Sequence, residues 1–128
     1  MGVRMTGGLV SITVAATSTV LFTPHPGRVI RYVVRKVFWY NNTLANALLR
    51  LGYDNPAAVF VPCLPNIATI AGFDGQLGET EIPIFGNAPE GFAPDTTAVT
   101  GTAGVLMAQV PVLAAGNILV EVEVEIME

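Results

Sequence analysis

The segment from Ile118 to Ile126 constrains the fold of this chain more than any other. From position 120 onward it alternates between branched apolar residues and Glu121, Glu123 and Glu125. Successive side chains of a β-strand point to opposite faces, so one face of this segment is apolar and the other is acidic. The pattern predicts a half-buried strand whose apolar face packs against a hydrophobic core.

The rest of the chain divides into short extended segments separated by glycine, proline and asparagine turns. Val29 to Tyr40 is the longest of these segments and is rich in β-branched and aromatic residues. Leu9 to Ala16 alternates, and Val105 to Val110 is apolar. A chain of 128 residues has the usual size of one domain. We therefore predict a single all-β domain over residues 1–128, an antiparallel β-sandwich or jelly roll of about eight strands.

The segment from Leu44 to Leu51 fits two structures. Its leucines and alanines favour a helix that ends at Gly52, but the same residues also alternate as a strand would. We favour the strand, in a hairpin with Val29 to Tyr40. The preceding residues 41–43, Asn-Asn-Thr, are typical of a short turn, and residue 41 also begins a formal glycosylation sequon.

A long stretch from Gly72 to Pro94 contains many glycines and prolines, and only Glu81 to Phe85 within it looks extended. Irregular segments of this length are often held by another subunit, and the phenylalanines here argue against disorder. Oxygen donors between Asp74 and Glu81 also have spacings that could surround calcium, although they match no EF-hand loop.

The composition is sparse in charge for a protein of this size. Charged residues make up 12% of the chain and the mean hydropathy is +0.57. No apolar run reaches the roughly 18 residues of a membrane-spanning helix. Burial against other subunits therefore explains the composition better, and we predict a homo-oligomer, a dimer or trimer, without a membrane partner. No signal peptide is apparent and Cys63 is the single cysteine, which favours a cytoplasmic protein or a virion component.

The charges are split along the sequence. All six basic residues lie in the first fifty positions, and all ten acidic residues lie at Asp54 or beyond. The net charge of −4 argues against nucleic acid as a partner. Arg31 and Arg35 have the spacing of the glutamates at 121–125, so we predict that their strands are neighbours, within one subunit or across an interface.

Motifs for catalysis are missing from the sequence. There is no nucleophile elbow, no phosphate-binding glycine loop and no second histidine to join His25 at a metal. We therefore predict no enzyme activity, no cofactor and no metal site. The alternative function is a carbohydrate- or ligand-binding module that uses exposed aromatic residues, from among Tyr32, Trp39, Tyr40, Tyr53, Phe73 and Phe92.

Two long strands, Arg28 to Tyr40 and Ile118 to Ile126, frame the glycine- and proline-rich middle of the chain. In this arrangement and in size the chain resembles the small virion proteins that decorate or cement a phage head. The resemblance implies a structural, non-catalytic protomer with a capsid lattice as its partner. The residues predicted to contact neighbouring subunits are Arg31, Arg35, Trp39, Phe73, Phe85, Phe92, Glu121, Glu123 and Glu125.

Overall fold

The computed structural model describes residues 3–23, 31–54, 59–62, 66–78 and 105–127, without the side chains of residues 3, 4, 31–33, 126 and 127. This part of the chain contains β-strands and no helix, so the all-β prediction is confirmed. It has ten strands where about eight were predicted. The strands are β1 (Val3–Thr6), β2 (Val10–Ile12), β3 (Thr19–Phe22), β4 (Arg31–Thr43), β5 (Ala47–Asp54), β6 (Phe60–Pro62), β7 (Ile67–Thr69), β8 (Asp74–Leu77), β9 (Leu106–Gln109) and β10 (Gly116–Met127).

The strands form two antiparallel five-stranded sheets. In the first, sheet A, the order is β1-β10-β4-β8, and β2 also pairs with β10. In the second, sheet B, the order is β3-β9-β5-β6, and β7 also pairs with β5. The inner faces of the two sheets supply one hydrophobic cluster, which confirms the predicted β-sandwich.

Strand β10 lies in the middle of sheet A, as its pattern predicts. Ile118, Val120, Val122 and Val124 are fully buried. The glutamates between them are partly exposed on the outer face. Strand β4 pairs with β10 along its whole length, so the prediction that these two strands are neighbours is confirmed.

A β-bulge in β4 changes which of its residues face the core. Val34 lies opposite Val124 and Lys36 lies opposite Glu123, so Arg35 is an extra residue without a partner position. Val34 and Val37 are consequently both buried. Strict alternation along β4 would place Val34 and Val37 on opposite faces, but the bulge shifts the pattern by one residue.

The predicted hairpin between β4 and β5 does not exist. Residues 47–54 form a strand, as favoured, but it belongs to sheet B and pairs with β6, β7 and β9. Residues 41–43 are not a turn: they continue β4, where Asn42 lies opposite Asn117. The turn comes at residues 44–46 and carries the chain across the sandwich from one sheet to the other.

Part of the stretch predicted to be irregular is a strand. Asp74 to Leu77 forms β8, the edge partner of β4. The strand was missed because Gly75 lowers β propensity. A Cβ at Gly75 would lie 2.4 Å from the indole of Trp39, so glycine lets the two strands pair beneath that ring. The predicted extended segment from Glu81 to Phe85 lies outside the described residues.

The outer strand that flanks β10 is interrupted. β1 pairs with the end of β10 and β2 with its start, and Gly7 and Gly8 lie between them. The sequence predicted a strand from Leu9 to Ala16, but β2 ends at Ile12 and Val14 is exposed. In the described residues, no helix is long and apolar enough to cross a membrane.

Candidate contact surfaces

Four connections between the sheets meet at one end of the sandwich. They are residues 13–18 between β2 and β3, 44–46 between β4 and β5, 70–73 between β7 and β8, and 110–115 between β9 and β10. Backbone and side-chain hydrogen bonds hold them to one another or to neighbouring strands. One runs from the Ala16 amide to the Val110 carbonyl, at 2.9 Å.

Each of these connections exposes a large apolar side chain to solvent. Leu44 is 97% exposed, Val112 80%, Phe73 65% and Val14 58%. Loop tips are ordinarily polar, so four exposed apolar side chains at the same end of the sandwich indicate a contact surface. We call this surface the apolar end and define it by Val14, Leu44, Leu48, Ile70, Phe73 and Val112.

A shallow groove lies within the apolar end. Its volume is about 310 Å³. Leu48 and Ala68 lie opposite each other where β5 and β7 pair, and both line the groove. Ile70 and Val112 stand at its sides and are both exposed. The groove therefore offers an apolar concavity that a side chain of another molecule can fill.

Buried Asn41 fixes the geometry of the apolar end. Its Nδ2 donates to the Ala45 carbonyl and to Thr69 Oγ1, both at 3.0 Å. Its Oδ1 accepts from the Thr43 amide at 3.0 Å and from Thr43 Oγ1 at 2.6 Å. Thr69 Oγ1 in turn donates to the Ala47 carbonyl at 2.8 Å. This polar cluster joins β4, the 44–46 turn, β5 and β7.

The backbone of Asn41 holds the neighbouring 70–73 turn in the same way. The Gly72 amide donates to the Asn41 carbonyl at 2.8 Å, and the Asn41 amide donates to the Phe73 carbonyl at 3.1 Å. Asn41 is fully buried, so the formal sequon that begins there cannot be glycosylated in the folded protein. Its function is structural: it orders two of the loops that expose apolar side chains.

The outer face of sheet A carries a second surface, with aromatic and acidic side chains. One row across the sheet contains Glu121 and Phe38 opposite each other. The next row contains Leu119, Tyr40 and Asp74. Together with Leu9 these residues line a groove of about 230 Å³, which we call the aromatic face.

Arg35 and Glu125 form an ion pair between β4 and β10. Arg35 Nε donates to Glu125 Oε1 at 3.0 Å, and the two side chains are only 22% and 18% exposed. The pair joins a basic residue from the first fifty positions to an acidic residue from the later part of the same chain, as the split of charges predicted. Glu125 lies opposite Val33, so it is a diagonal neighbour of Arg35 across the two strands. The bulge at Arg35 brings its guanidinium to this glutamate.

We expect the substitution Arg35→Glu to lower the free energy of unfolding by about 1 to 2 kcal/mol, because it replaces a partly buried attraction with a repulsion. The double variant Arg35→Glu/Glu125→Arg should recover part of this loss. Urea unfolding of both single variants and the double variant gives the coupling energy. A coupling near zero at low salt would show that the pair does not stabilise the fold.

The structure separates the residues that the sequence predicted as an interface. Phe73 is exposed at the apolar end, whereas Trp39 packs against the core. Arg35 and Glu125 pair within the chain, Glu123 lies opposite Lys36, and Glu121 lines the aromatic face. Phe85, Phe92 and the side chain of Arg31 lie outside the described residues. The interface role of these nine residues stays a prediction.

Several residues of the two surfaces were not singled out from the sequence. Leu44, Leu48, Ile70 and Val112 sit in segments that looked like ordinary strands or turns. Exposure at a loop could have been suspected from large apolar residues that directly follow residues common in turns. Leu44 after Thr43 and Val112 after Pro111 are two examples.

The suggestion of a calcium site finds no support in the described part of the chain. Residues 74–77 form a strand and not a loop. No group of three His, Cys, Asp or Glu residues in the described ranges is arranged to hold a metal ion. Glu79 and Glu81, the other proposed ligands, lie outside these ranges.

Comparisons with known proteins give little further information. No protein-family model matches the sequence, and no curated protein matches it. Among solved structures, the chain is similar to one from a study of Bacillus endospore appendages, described there as a family of disulfide-linked pili. The match covers 98% of this chain and 85% of the other, with 10% identity and a TM-score of 0.41. A likeness of this size does not inform the function.

Proposed function

We propose that this protein is a structural, non-catalytic protomer that assembles with copies of itself through the apolar end. The observation that carries the proposal is the exposure of a large apolar side chain on every one of the four connections at that end. Burying these side chains in a subunit contact removes apolar surface from water, which is the main favourable term in association.

Part of the apolar end is already fixed in the protomer, and this supports the same function. Association costs free energy when loops and side chains must be fixed on binding. Here the Asn41 cluster already fixes two of the four loops through hydrogen bonds inside the protomer. The low fraction of charged residues also suits a protein with much of its surface in subunit contacts.

Decoration or cementing of a phage head is the more specific form of this function. It rests on the resemblance of the two long strands and the glycine- and proline-rich middle to small virion proteins. In that case the apolar end would contact either a second protomer or the capsid lattice. A closed symmetric dimer or trimer would be the unit that binds the lattice.

We expect the purified protein to be an oligomer whose mass stays constant from tens of micromolar down to tens of nanomolar. The double variant Leu44→Lys/Val112→Lys should be monomeric over the same range, because it places charges in the contact. Light scattering measures both masses. Both side chains are solvent-exposed in the protomer, so the variant should retain the wild-type circular dichroism spectrum.

The matched control is Met5→Lys/Val20→Lys, which adds the same charge at two exposed apolar positions outside the apolar end. It should assemble like the wild type. A wild-type protein that is monomeric at every concentration would contradict self-assembly. An unchanged oligomer in Leu44→Lys/Val112→Lys would show that the contact lies elsewhere.

A further inference from the structure

We propose that the aromatic face of sheet A binds a neutral, pyranose-containing glycan. This activity is separate from assembly, because the aromatic face lies on the outer side of sheet A and the groove of the apolar end lies on sheet B. A pyranose ring has an apolar C–H face bordered by hydroxyl groups. The aromatic face has the complementary arrangement, with apolar residues in the middle and polar groups at its borders.

The middle of the face is an apolar platform formed by Phe38, Tyr40 and Leu119. Phe38 and Tyr40 are two residues apart on β4, so their side chains point the same way and are spaced by about 7 Å. Leu119 lies opposite Tyr40 on β10 and extends the platform across the sheet. Tyr40 is 38% exposed, which leaves its ring accessible for stacking against a sugar ring.

Carboxylates stand on two opposite sides of the platform. Asp74 is beside Tyr40 on β8, and Glu121 is beside Phe38 on β10. Within the described part of the chain, no hydrogen bond or ion pair engages either carboxylate. An ionised carboxylate is a hydrogen-bond acceptor only, so both are suited to the donating hydroxyl groups of a sugar.

A row of amide side chains continues the polar border. Asn42 Nδ2 donates to Asn117 Oδ1 at 3.0 Å, and Asn117 Nδ2 donates to Ser11 Oγ at 2.8 Å. These bonds orient three side chains across β4, β10 and β2, of which Asn42 and Ser11 are exposed and Asn117 is partly exposed. They use only part of the hydrogen-bonding capacity of each group, because an amide carries two N–H donors and two acceptor lone pairs. The remaining capacity is available to a ligand.

The spacing of the carboxylates favours an extended neutral ligand over a cation. Asp74 and Glu121 lie two strands and one two-residue step apart, so their Cα atoms are separated by roughly 12 Å. A single ammonium group cannot contact both at that distance. A glycan of two or three rings spans it. Sialylated and sulfated glycans are disfavoured, because their negative charges would meet two carboxylates.

The test uses the full-length protein on an array of neutral, sialylated and sulfated glycans, followed by calorimetric titration of the best neutral glycan. We expect binding to neutral glycans only. Tyr40→Ala should weaken the affinity at least tenfold, because it removes the stacking ring. Asp74→Asn keeps the size of the side chain and should weaken it several-fold. Val20→Ala, which removes an exposed apolar side chain on β3 of sheet B and outside both surfaces, should bind like the wild type.

Three results would overturn the proposal. These are an array without any bound neutral glycan, a preference for acidic glycans, and a Tyr40→Ala affinity equal to that of the wild type. Thermal unfolding of each variant shows whether a lower glycan affinity comes from a loss of folded protein. If Tyr40→Ala is less stable, Asp74→Asn still decides the result, because Asp74 is exposed on an edge strand and contributes little to packing.

Discussion

Replacing Val122 with lysine should leave the protein unable to accumulate in its folded form. Val122 is fully buried in the centre of β10 and belongs to the core cluster shared by both sheets. An unpaired ammonium at this position has no partner and loses its hydration. The expected loss is at least about 4 to 5 kcal/mol, which is comparable with the whole stability of a small domain.

The control for this prediction is the adjacent substitution Glu121→Lys. Glu121 lies on the outer face of the same strand, so the new charge stays in water. We expect its free energy of unfolding to fall by less than about 1 kcal/mol. Circular dichroism and urea unfolding of the two variants compare the two faces of β10 directly. Equal stability of the two variants would be incompatible with a buried apolar face.

Replacing Asn41 with leucine should lower the free energy of unfolding by about 2 to 4 kcal/mol. The side chains are similar in size, but leucine removes the acceptor of the Thr43 amide and the donor to the Thr69 hydroxyl, both in a buried setting. Losing the hydrogen bonds of the Asn41 side chain should also loosen the 44–46 and 70–73 loops. Hydrogen exchange of the Gly72 and Ala45 amides should therefore become faster.

Asn42 provides the matched control for Asn41. It is the next residue in β4, but it is exposed, and among the described residues its side chain makes one hydrogen bond, to Asn117 on the outer face. Asn42→Leu should cost less than about 1 kcal/mol. Urea unfolding measures both variants. If Asn42→Leu were as destabilising as Asn41→Leu, the buried cluster would not be the source of the effect.

The parts of the fold that follow from a strict two-residue period could be predicted from the sequence. The alternation in β10 specifies its buried and exposed faces, and the charge spacing of β4 predicts its partner. The faces of β4 could not be predicted in full. Arg35 and Lys36 are adjacent charges, and a single bulged residue allows both to face outward.

Connections were harder to predict than strands. The residues Asn-Asn-Thr at 41–43 have the composition of a turn, but burial of Asn41 converts them into a strand end. Its polar side chain is satisfied by Thr43, Ala45 and Thr69, and the last of these is distant in sequence. Local propensity contains no information about such a partner, so the crossover to sheet B was missed.

The candidate surfaces were predicted only in outline. Sparse charge indicates subunit contacts, but it does not show where they lie. Exposed apolar residues at loop tips look like core residues in the sequence, and only the four connections at one end bring Leu44, Phe73 and Val112 together. Similarly, Trp39 and Tyr40 are neighbours in sequence, but Trp39 packs against the core whereas Tyr40 is exposed on the outer face.

The central position of β10 has a consequence for how the protein folds during synthesis. β10 is the last described strand of the chain, yet β1, β2 and β4 all pair with it. Sheet A therefore cannot form until residues 116–127 have left the ribosome. Until then, the strands of sheet A already synthesised lack their main partner, and their apolar faces are open to aggregation.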